Sequence, residues 1–170
     1  MPILNRDLSR PAKIPCVVVI EACAEHMPAF RDLNFQWIDE HFEREPKDVA
    51  MLKDPVRFIV EVGGQIFAAL RDHDIVGVCA VIPIGDCEYE LVKMAVKTEA
   101  RGLGAGRALM QAAEAWCARH GAKRIEIITN SVLEPAVRLY EKSGYALIHS
   151  GPHASYKRAD RIFEKYLLSK

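Results

Sequence analysis

The feature that most constrains this chain is the stretch from Val92 to Trp116, in which an apolar strand leads into a glycine-rich turn and then into a helix. The turn consists of Arg101, Gly102, Leu103, Gly104, Ala105, Gly106 and Arg107. Its alternating glycines allow the backbone to approach a ligand closely, and the first amide groups of the helix have no intrahelical acceptor. Such a helix N-terminus favours an anion, and the two arginines add cationic donors. The stretch therefore predicts a phosphate-binding loop.

Two common nucleotide-binding motifs do not fit this loop. A Walker loop requires a lysine followed by serine or threonine after the last glycine, where this chain has Arg107 and Ala108. A dinucleotide-binding fingerprint requires its third glycine at the position of Arg107. The predicted phosphate ligand therefore belongs to another class.

A second motif lies downstream, between Asn130 and Tyr145, where an asparagine that follows a strand precedes the pattern Leu-Tyr-x-Lys-x-Gly-Tyr. Together with Arg-Gly-x-Gly-x-Gly after a strand, this spacing resembles the GNAT superfamily, the Gcn5-related N-acetyltransferases. In that family the glycine-rich turn is the loop for the pyrophosphate of acetyl-CoA. The two motifs cover roughly Glu88 to Ile148, and the rest of the chain resembles the family only in the order of its elements.

The resemblance implies an α/β fold of mixed α and β structure. In this fold a strongly twisted mixed sheet of six to seven strands is flanked by about four helices, and acetyl-CoA binds between two splayed parallel strands. The chain has 170 residues, which is the length of one domain. We therefore expect residues 1–170 to form a single GNAT-type domain, with residues 1–13 as a loosely held N-terminal arm.

The periodicity of apolar residues predicts the remaining elements. Strands are expected at Cys16–Ile20, Ile66–Leu70, Ile75–Ile82, Tyr89–Val96, Arg124–Thr129 and Tyr145–His149. Helices are expected at Glu25–His41, Pro46–Leu52 and Pro135–Ser143, besides the one that follows the loop and stops at Gly121. Phe58–Val62 fits either a short strand or the approach to the next hairpin. Tyr156–Leu168 mixes both periodicities, and the resemblance favours a last strand there.

Two polar side chains of the second motif have a structural and a functional interpretation. Tyr140 shares the apolar face of its helix with Ala136 and Val137, as a core tyrosine would. By resemblance it is the general acid, because a phenol with a pKa of about 10 stays protonated at neutral pH and can donate to the departing thiolate. Asn130 fits turn chemistry at a strand end, and by resemblance it hydrogen-bonds the pantetheine arm of the cofactor.

The strand before the loop contains the other predicted site residues. The resemblance assigns the contacts to pantetheine and to the acetyl carbonyl to the backbone of Met94, Ala95 and Val96, with the Val96 N–H as the oxyanion donor. Glu90 matches the position where some members keep a catalytic base. The alternative interpretation is that Glu90 is a carboxylate at the edge of the sheet, either solvated or paired with Lys93. A water chain could also accept the proton of the amine.

Composition limits the partners. The chain has 23 basic and 23 acidic residues, so its net charge gives no reason to expect nucleic acid or a membrane surface as a partner. Apolar runs are too short for a transmembrane helix or a signal peptide, which predicts a soluble, cytoplasmic protein. The five cysteines form no Cys-x-x-Cys pair and are expected to be reduced and mostly buried. The six histidines are scattered along the chain, and no metal is expected.

These features predict an N-acetyltransferase that transfers an acetyl group from acetyl-CoA directly to a primary amine of a small molecule. One alternative is a protein lysine or N-terminal acetyltransferase, and the small molecule is favoured because neither a peptide-binding segment nor a charge bias is visible. The other alternative is a non-catalytic acyl-CoA-binding sensor on the same fold. Tyr140 argues against the sensor, because binding alone requires no acid. A homodimer is compatible with the sequence.

Overall fold

The computed structural model describes residues 16–167, which contain seven strands and four α-helices. The predicted N-terminal arm, residues 1–13, lies outside the described residues. The strands are β1 (Val18–Glu21), β2 (Gln65–Arg71), β3 (Asp74–Gly85), β4 (Glu88–Val96), β5 (Arg124–Thr129), β6 (Ala146–Ser150) and β7 (Arg161–Tyr166). The helices are α1 (Met27–His41), α2 (Pro46–Lys53), α3 (Ala105–Arg119) and α4 (Glu134–Lys142). Within residues 16–167, no helix combines the length and the apolar character needed to cross a membrane.

All seven strands form one sheet in the order β1-β2-β3-β4-β5-β7-β6. Neighbouring strands are antiparallel except β4 and β5, which are parallel and are connected through α3. This strand, helix, strand unit is the crossover connection that parallel neighbours require. The twisted mixed sheet with flanking helices agrees with the predicted α/β fold.

Helices cover both faces of the sheet because side chains alternate between the faces of each strand. On one face, α3 and α4 pack against a core that includes Phe67, Leu109, Trp116, Ile125, Tyr140 and Phe163. On the other face, α1 and α2 enclose a core that includes Phe30, Ile38, Leu52, Ile59, Ile66 and Ala80. The central strands are therefore buried on both sides.

The parallel pair β4 and β5 separates after only three residues. Glu88–Glu90 pairs with Arg124–Glu126, and beyond Glu90 strand β4 continues to Val96 along β3 alone. A bulge bends β4 in this part, where the register places both Lys93 and Met94 opposite a single residue of β3. Lys93 has a φ of 54°, in the left-handed region. The separation leaves a gap between the two strands at this edge of the parallel pair.

One open alternative is decided and two expectations need correction. Phe58–Val62, which fits either a short strand or the approach to the hairpin, is not a strand, because Val56–Val60 forms a π-helical turn in which the Glu61 N–H donates to the Val56 carbonyl at 2.9 Å. The last strand starts at Arg161 rather than near Tyr156, because the residues before it form a loop. The cysteines are free but not mostly buried, since only Cys79 and Cys117 lie in the core.

Candidate active site

A cavity of about 660 Å³ occupies the gap between β4 and β5. Its walls come from both strands, α1, the glycine-rich loop, α4 and the loop before β7. Eleven of the thirteen predicted site residues line it: Glu90, Met94, Val96, Arg101, Gly102, Gly104, Ala105, Gly106, Arg107, Asn130 and Tyr140. The other two are directed elsewhere, because Ala95 is buried in the core beneath α1 and Leu103 is exposed to solvent.

The hydrogen-bonding direction of β4 brings backbone amides to this cavity. The Lys97 N–H donates to the Val76 carbonyl of β3 at 2.9 Å. Alternate residues of an antiparallel strand direct their amides to opposite sides, so the N–H of Val96 is directed away from β3 and toward β5. Because β5 has already separated from β4 at this level, the Val96 amide faces the cavity. This orientation is the one that an oxyanion donor requires.

The glycine-rich loop has the conformation of an anion site. Gly102 and Gly104 have φ values of 77° and 85°, which glycine adopts at little steric cost. Gly104 caps α3, and the first helical hydrogen bond runs from the Ala108 N–H to the Gly104 carbonyl at 2.9 Å. The amides of residues 105–107 thus precede the helical ladder. Gly106 has an additional packing role, because a Cβ there would lie 3.0 Å from the side chain of Leu139 on α4.

The cavity is cationic although the chain has no net charge. Among the described residues, six cationic side chains line it: Lys93, Arg101, Arg107, Arg138, Lys142 and Arg158. Glu90 is the one carboxylate among the lining residues of this part of the chain. A cavity lined mainly by positive charges favours a polyanionic ligand.

Glu90 is the last residue of β4 that pairs with β5, and it lies opposite Glu126. It is only 8% exposed. Burial raises the pKa of Glu90 to about 7, and Glu126 adds to the rise, whereas Lys93 and Lys47 lower it. Glu90 is therefore neither at a sheet edge nor solvated. A carboxylate with this pKa can accept a proton near neutral pH.

Tyr140 lines the cavity from α4 and is also part of the core, where its ring centroid lies 5.8 Å from that of Phe163. Burial raises the pKa of Tyr140 to about 12, and the neighbouring Thr129 hydroxyl acts in the opposite direction. The phenol is therefore protonated throughout the neutral range. It can donate a hydrogen bond into the cavity but does not serve as a base there.

The side-chain amide of Asn130 stabilises the turn after β5. Its nitrogen donates to the Arg158 carbonyl, and its oxygen accepts from the Val132 N–H at 2.9 Å. These bonds fit the interpretation of Asn130 as a turn residue. They also connect the loop that contains Arg158 to the turn after β5. Asn130 nevertheless lines the cavity, so its amide lies within the site.

Sequence reasoning missed a cluster formed by Asp48, Lys93 and Arg158. Asp48 is 1% exposed and accepts from the Lys93 ammonium at 2.6 Å and from Arg158 through both of its carboxylate oxygens. Lys93 therefore pairs with Asp48 and not with Glu90. The one signal in the sequence was the third position of α2, where Asp48 also accepts from the Glu45 N–H as a capping residue does. Nothing local indicates partners 45 and 110 positions away.

A second polar group, Cys23, Glu25 and His26, lies outside the cavity. The Cys23 sulfur lies 3.2 Å from Nδ1 of His26 and 3.6 Å from the Glu25 carboxylate. The same Nδ1 accepts from the Cys23 N–H at 3.0 Å, so its lone pair is engaged by the backbone. Cys23 and His26 have Cys-x-x-His spacing, and His149 and His153 have His-x-x-x-His spacing. Among the described residues only the group of Cys23, Glu25 and His26 brings three possible metal ligands together.

Comparisons with known proteins identify the family and the fold. A family model described as "Acetyltransferase (GNAT) family" matches residues 23–145. A search among curated proteins found no match to the sequence. An acetyltransferase of the GNAT family from Staphylococcus aureus Mu50 has a similar structure, with a TM-score of 0.80, 20% identity, and coverage of 90% of this chain and 100% of that one.

Two further similar structures were solved with coenzyme A. An aminoglycoside 6'-N-acetyltransferase has a TM-score of 0.72 and 17% identity over 90% of this chain and 98% of its own. The PaiA N-acetyltransferase from Thermoplasma acidophilum has a TM-score of 0.69 and 16% identity over 89% of this chain and 99% of its own. At such identities the likeness concerns the fold.

Proposed function

Because the chain belongs to the GNAT acetyltransferase family, we propose that it transfers an acetyl group from acetyl-CoA to a primary amine of a small molecule. One observation carries this proposal. A single cavity combines an anion-binding helix N-terminus, a buried carboxylate with a pKa of about 7 and a protonated phenol. These are the groups that hold a pyrophosphate, accept the proton of an amine and donate to a departing thiolate.

The phosphate loop and its surroundings fit coenzyme A. The amides of residues 105–107 are available to phosphate oxygens, and Arg107 is exposed beside them. Arg138 and Lys142 add positive charge from α4. The Val96 N–H is directed toward the gap between β4 and β5, and the pantetheine arm that carries the thioester would run through this gap. The presence of coenzyme A in two similar structures supports the same assignment.

The chemistry follows from the placement of three groups. Glu90 accepts a proton from the ammonium form of the acceptor, directly or through water, because an amine with a pKa of about 10.4 is mostly cationic at neutral pH. The neutral nitrogen forms a bond to the acetyl carbonyl carbon, and the Val96 N–H stabilises the negative oxygen. The carbon–sulfur bond then breaks, and Tyr140 donates its proton to the thiolate. The nitrogen, which is positively charged after its attack, loses its second proton through water, and a proton returned to the phenolate restores Tyr140. No covalent enzyme intermediate is needed.

Two alternatives share the same cofactor. A protein amine could replace the small molecule, and an acyl-CoA sensor would bind acetyl-CoA without turnover. The near-complete burial of Glu90 supports a small acceptor, which reaches a recessed carboxylate without displacing the walls of the cavity. The pairing of a near-neutral base with a protonated phenol supports catalysis, because binding alone does not require either group.

The cofactor assignment predicts selective stabilisation by coenzyme A compounds. At a hundredfold excess over Kd, acetyl-CoA should add about 2.7 kcal/mol to the free energy of unfolding, because it binds the native state only. For a domain of this size the melting temperature should rise by roughly 5–10 °C. Thermal unfolding with acetyl-CoA, CoA, ATP and NAD measures this. Equal stabilisation by ATP, or none by any coenzyme A compound, would contradict the assignment.

Gly104→Asp should raise the Kd for acetyl-CoA by at least about tenfold, because it places a negative charge at the N-terminus of α3. The substitution also strains a residue with positive φ by about 1–2 kcal/mol. Gly104→Asn has the same shape without the charge, and should weaken binding less. Gly121→Asp is the matched control, because Gly121 has a φ of 77° and open space around it at the other end of α3.

Titration calorimetry measures the three affinities, and circular dichroism checks that each variant is folded. Gly121→Asp should be strained to a similar degree but should bind acetyl-CoA like the wild type. Wild-type affinity in a folded Gly104→Asp variant would mean that the phosphates bind elsewhere.

A further inference from the structure

We propose that the acceptor is an amine that carries an anionic group, a carboxylate in the simplest case, and that Lys93 and Arg158 bind this group. The inference rests on the proposed acetyl transfer and narrows its substrate class. It starts from the cluster of Lys93 and Arg158 around Asp48, which the acetyl-transfer chemistry itself does not use. We call these three residues the cationic cluster.

The cationic cluster is built from three distant parts of the chain. Asp48 comes from the first turn of α2, Lys93 from the bulge in β4 and Arg158 from the loop before β7. The Lys93 ammonium lies 2.6 Å from Oδ1 of Asp48, and Nη2 of Arg158 lies 2.9 Å from the same oxygen. Asp48 itself is 1% exposed and does not line the cavity, whereas both cations do. The carboxylate thus holds two cations against the cavity wall.

The charges of the cluster do not balance. Burial by itself would raise the pKa of Asp48, but the hydrogen bond from Arg158 and the charge of Lys93 lower it below its usual value. One ionised carboxylate therefore faces two cations, whose side chains are only 11% and 20% exposed. A partly buried excess of positive charge is unfavourable unless a further anion compensates it. Glu90, whose pKa Lys93 lowers, compensates part of this charge when it is ionised, and an anionic group in the cavity would supply the rest.

Both cations retain donors for such a group. Lys93 has three ammonium hydrogens and Arg158 five N–H groups, more than the contacts to Asp48 require. The planar guanidinium is suited to bidentate contact with a carboxylate. Phe42 lies beneath Arg158, with 5.6 Å between the guanidinium carbon and the ring centroid, which further orients the group. The cluster is therefore shaped to present donors and not only to neutralise Asp48.

The cluster lies next to the proposed base. Lys93 follows Glu90 by three residues in β4, and the two side chains line the same cavity. An acceptor with its amine at Glu90 can therefore place a second group at Lys93 and Arg158. A carboxylate there gains attraction, whereas an additional ammonium group is repelled. Amino carboxylates should be favoured over neutral amines and polyamines.

The test compares matched acceptors on the wild-type enzyme. Each amino acid in a series with increasing spacing between amine and carboxylate is assayed beside its own amide, which has the same amine and shape but no charge. Thiol release from acetyl-CoA gives kcat/KM for each pair. We expect the best acid to exceed its amide by about 10- to 100-fold, mainly through KM, since hydrogen bonds between charged groups are roughly twice as strong as neutral ones.

In Arg158→Gln, the kcat/KM for the acid of that best pair should be nearly equal to the kcat/KM for its amide. Arg44→Gln is the matched control, because Arg44 also contacts an aspartate through two bonds, to Asp39 at 2.7 and 2.6 Å, and also lies over a phenylalanine ring. Arg44 does not line the cavity, so Arg44→Gln should preserve the ratio. If the cluster has only a structural role, Arg158→Gln should have a lower melting temperature, and its kcat/KM should fall equally for the acid and for the amide.

Each outcome separates the inference from the function on which it rests. Thermal stabilisation by acetyl-CoA in wild type and Arg158→Gln verifies that the cofactor site is intact. Turnover of amides or polyamines at least equal to that of the acids would overturn the anion site and leave acetyl transfer standing. Turnover on a protein amine alone would overturn the small-molecule acceptor. Absence of turnover on every amine, with acetyl-CoA still bound, would contradict the proposed enzyme itself.

Discussion

Replacing Tyr140 by phenylalanine should slow the chemical step by roughly 10²–10⁴-fold while acetyl-CoA affinity stays nearly unchanged. The substitution removes one hydroxyl and keeps the ring that packs near Phe163. Because burial raises the pKa of Tyr140 to about 12, the hydroxyl is protonated at every pH of a normal assay. It should therefore act as a constant donor to the departing thiolate, and the loss should appear in kcat.

Tyr145→Phe is the matched control for this experiment. Tyr145 is buried in the same core, 4% exposed, but it does not line the cavity. Its substitution should therefore leave turnover near the wild-type level. The two variants are compared by thiol release under single-turnover conditions, with binding of acetyl-CoA measured separately. Wild-type turnover in a folded Tyr140→Phe variant would reduce Tyr140 to a core residue and assign the proton donor to water or another group.

Glu90→Gln should lower turnover by roughly 10²–10⁴-fold and at the same time stabilise the protein above neutral pH. The glutamine keeps the shape of the side chain but cannot accept the proton of the amine. In the wild type, kcat/KM should rise with pH as Glu90 ionises around its pKa of about 7. Glu90→Gln should lose this rise. A variant that keeps wild-type turnover and pH profile would assign the base to a water chain.

The effect of Glu90 on stability has a definite sign. Its pKa is raised in the folded state from 4.5 to about 7, so the fold favours the protonated form. Its favourable contribution is fully present below about pH 4.5 and is lost as the pH rises through about 7. Above that pH the buried charge opposes folding by up to about 3 kcal/mol. Glu90→Gln should thus be more stable than wild type near pH 8 and similar to it near pH 4.5.

Glu88→Gln is the control on the same strand. Glu88 is partly exposed, does not line the cavity, and has its pKa lowered by a hydrogen bond from Arg124. Its substitution should give no gain in stability at high pH and no loss of turnover. Thermal unfolding between about pH 4.5 and 8 measures both variants. A higher melting temperature for Glu88→Gln than for Glu90→Gln at pH 8 would contradict the interpretation of Glu90 as a strained base.

The sequence by itself determined the parts of the protein that depend on short segments. The glycines of the loop, the helix after it and the second motif each lie within about 25 residues, so their conformations follow from local sterics and periodicity. The resemblance that these motifs carry was sufficient to predict the family and the mixed sheet. It also selected Tyr140, Glu90 and the loop residues, all of which except Leu103 line one cavity.

Only the tertiary structure decided the electrostatics of that cavity. The pKa of Glu90 depends on its burial and on the charge of Glu126. Glu126 is a neighbour of Glu90 only because β4 and β5 pair over three residues before they separate. Lys93 could have paired with Glu90 on its own strand, but the bulge and the position of α2 give it Asp48 instead. Coulomb interactions and desolvation depend on distances in space, and no pattern along the chain records that Arg158 lies beside a residue 110 positions before it.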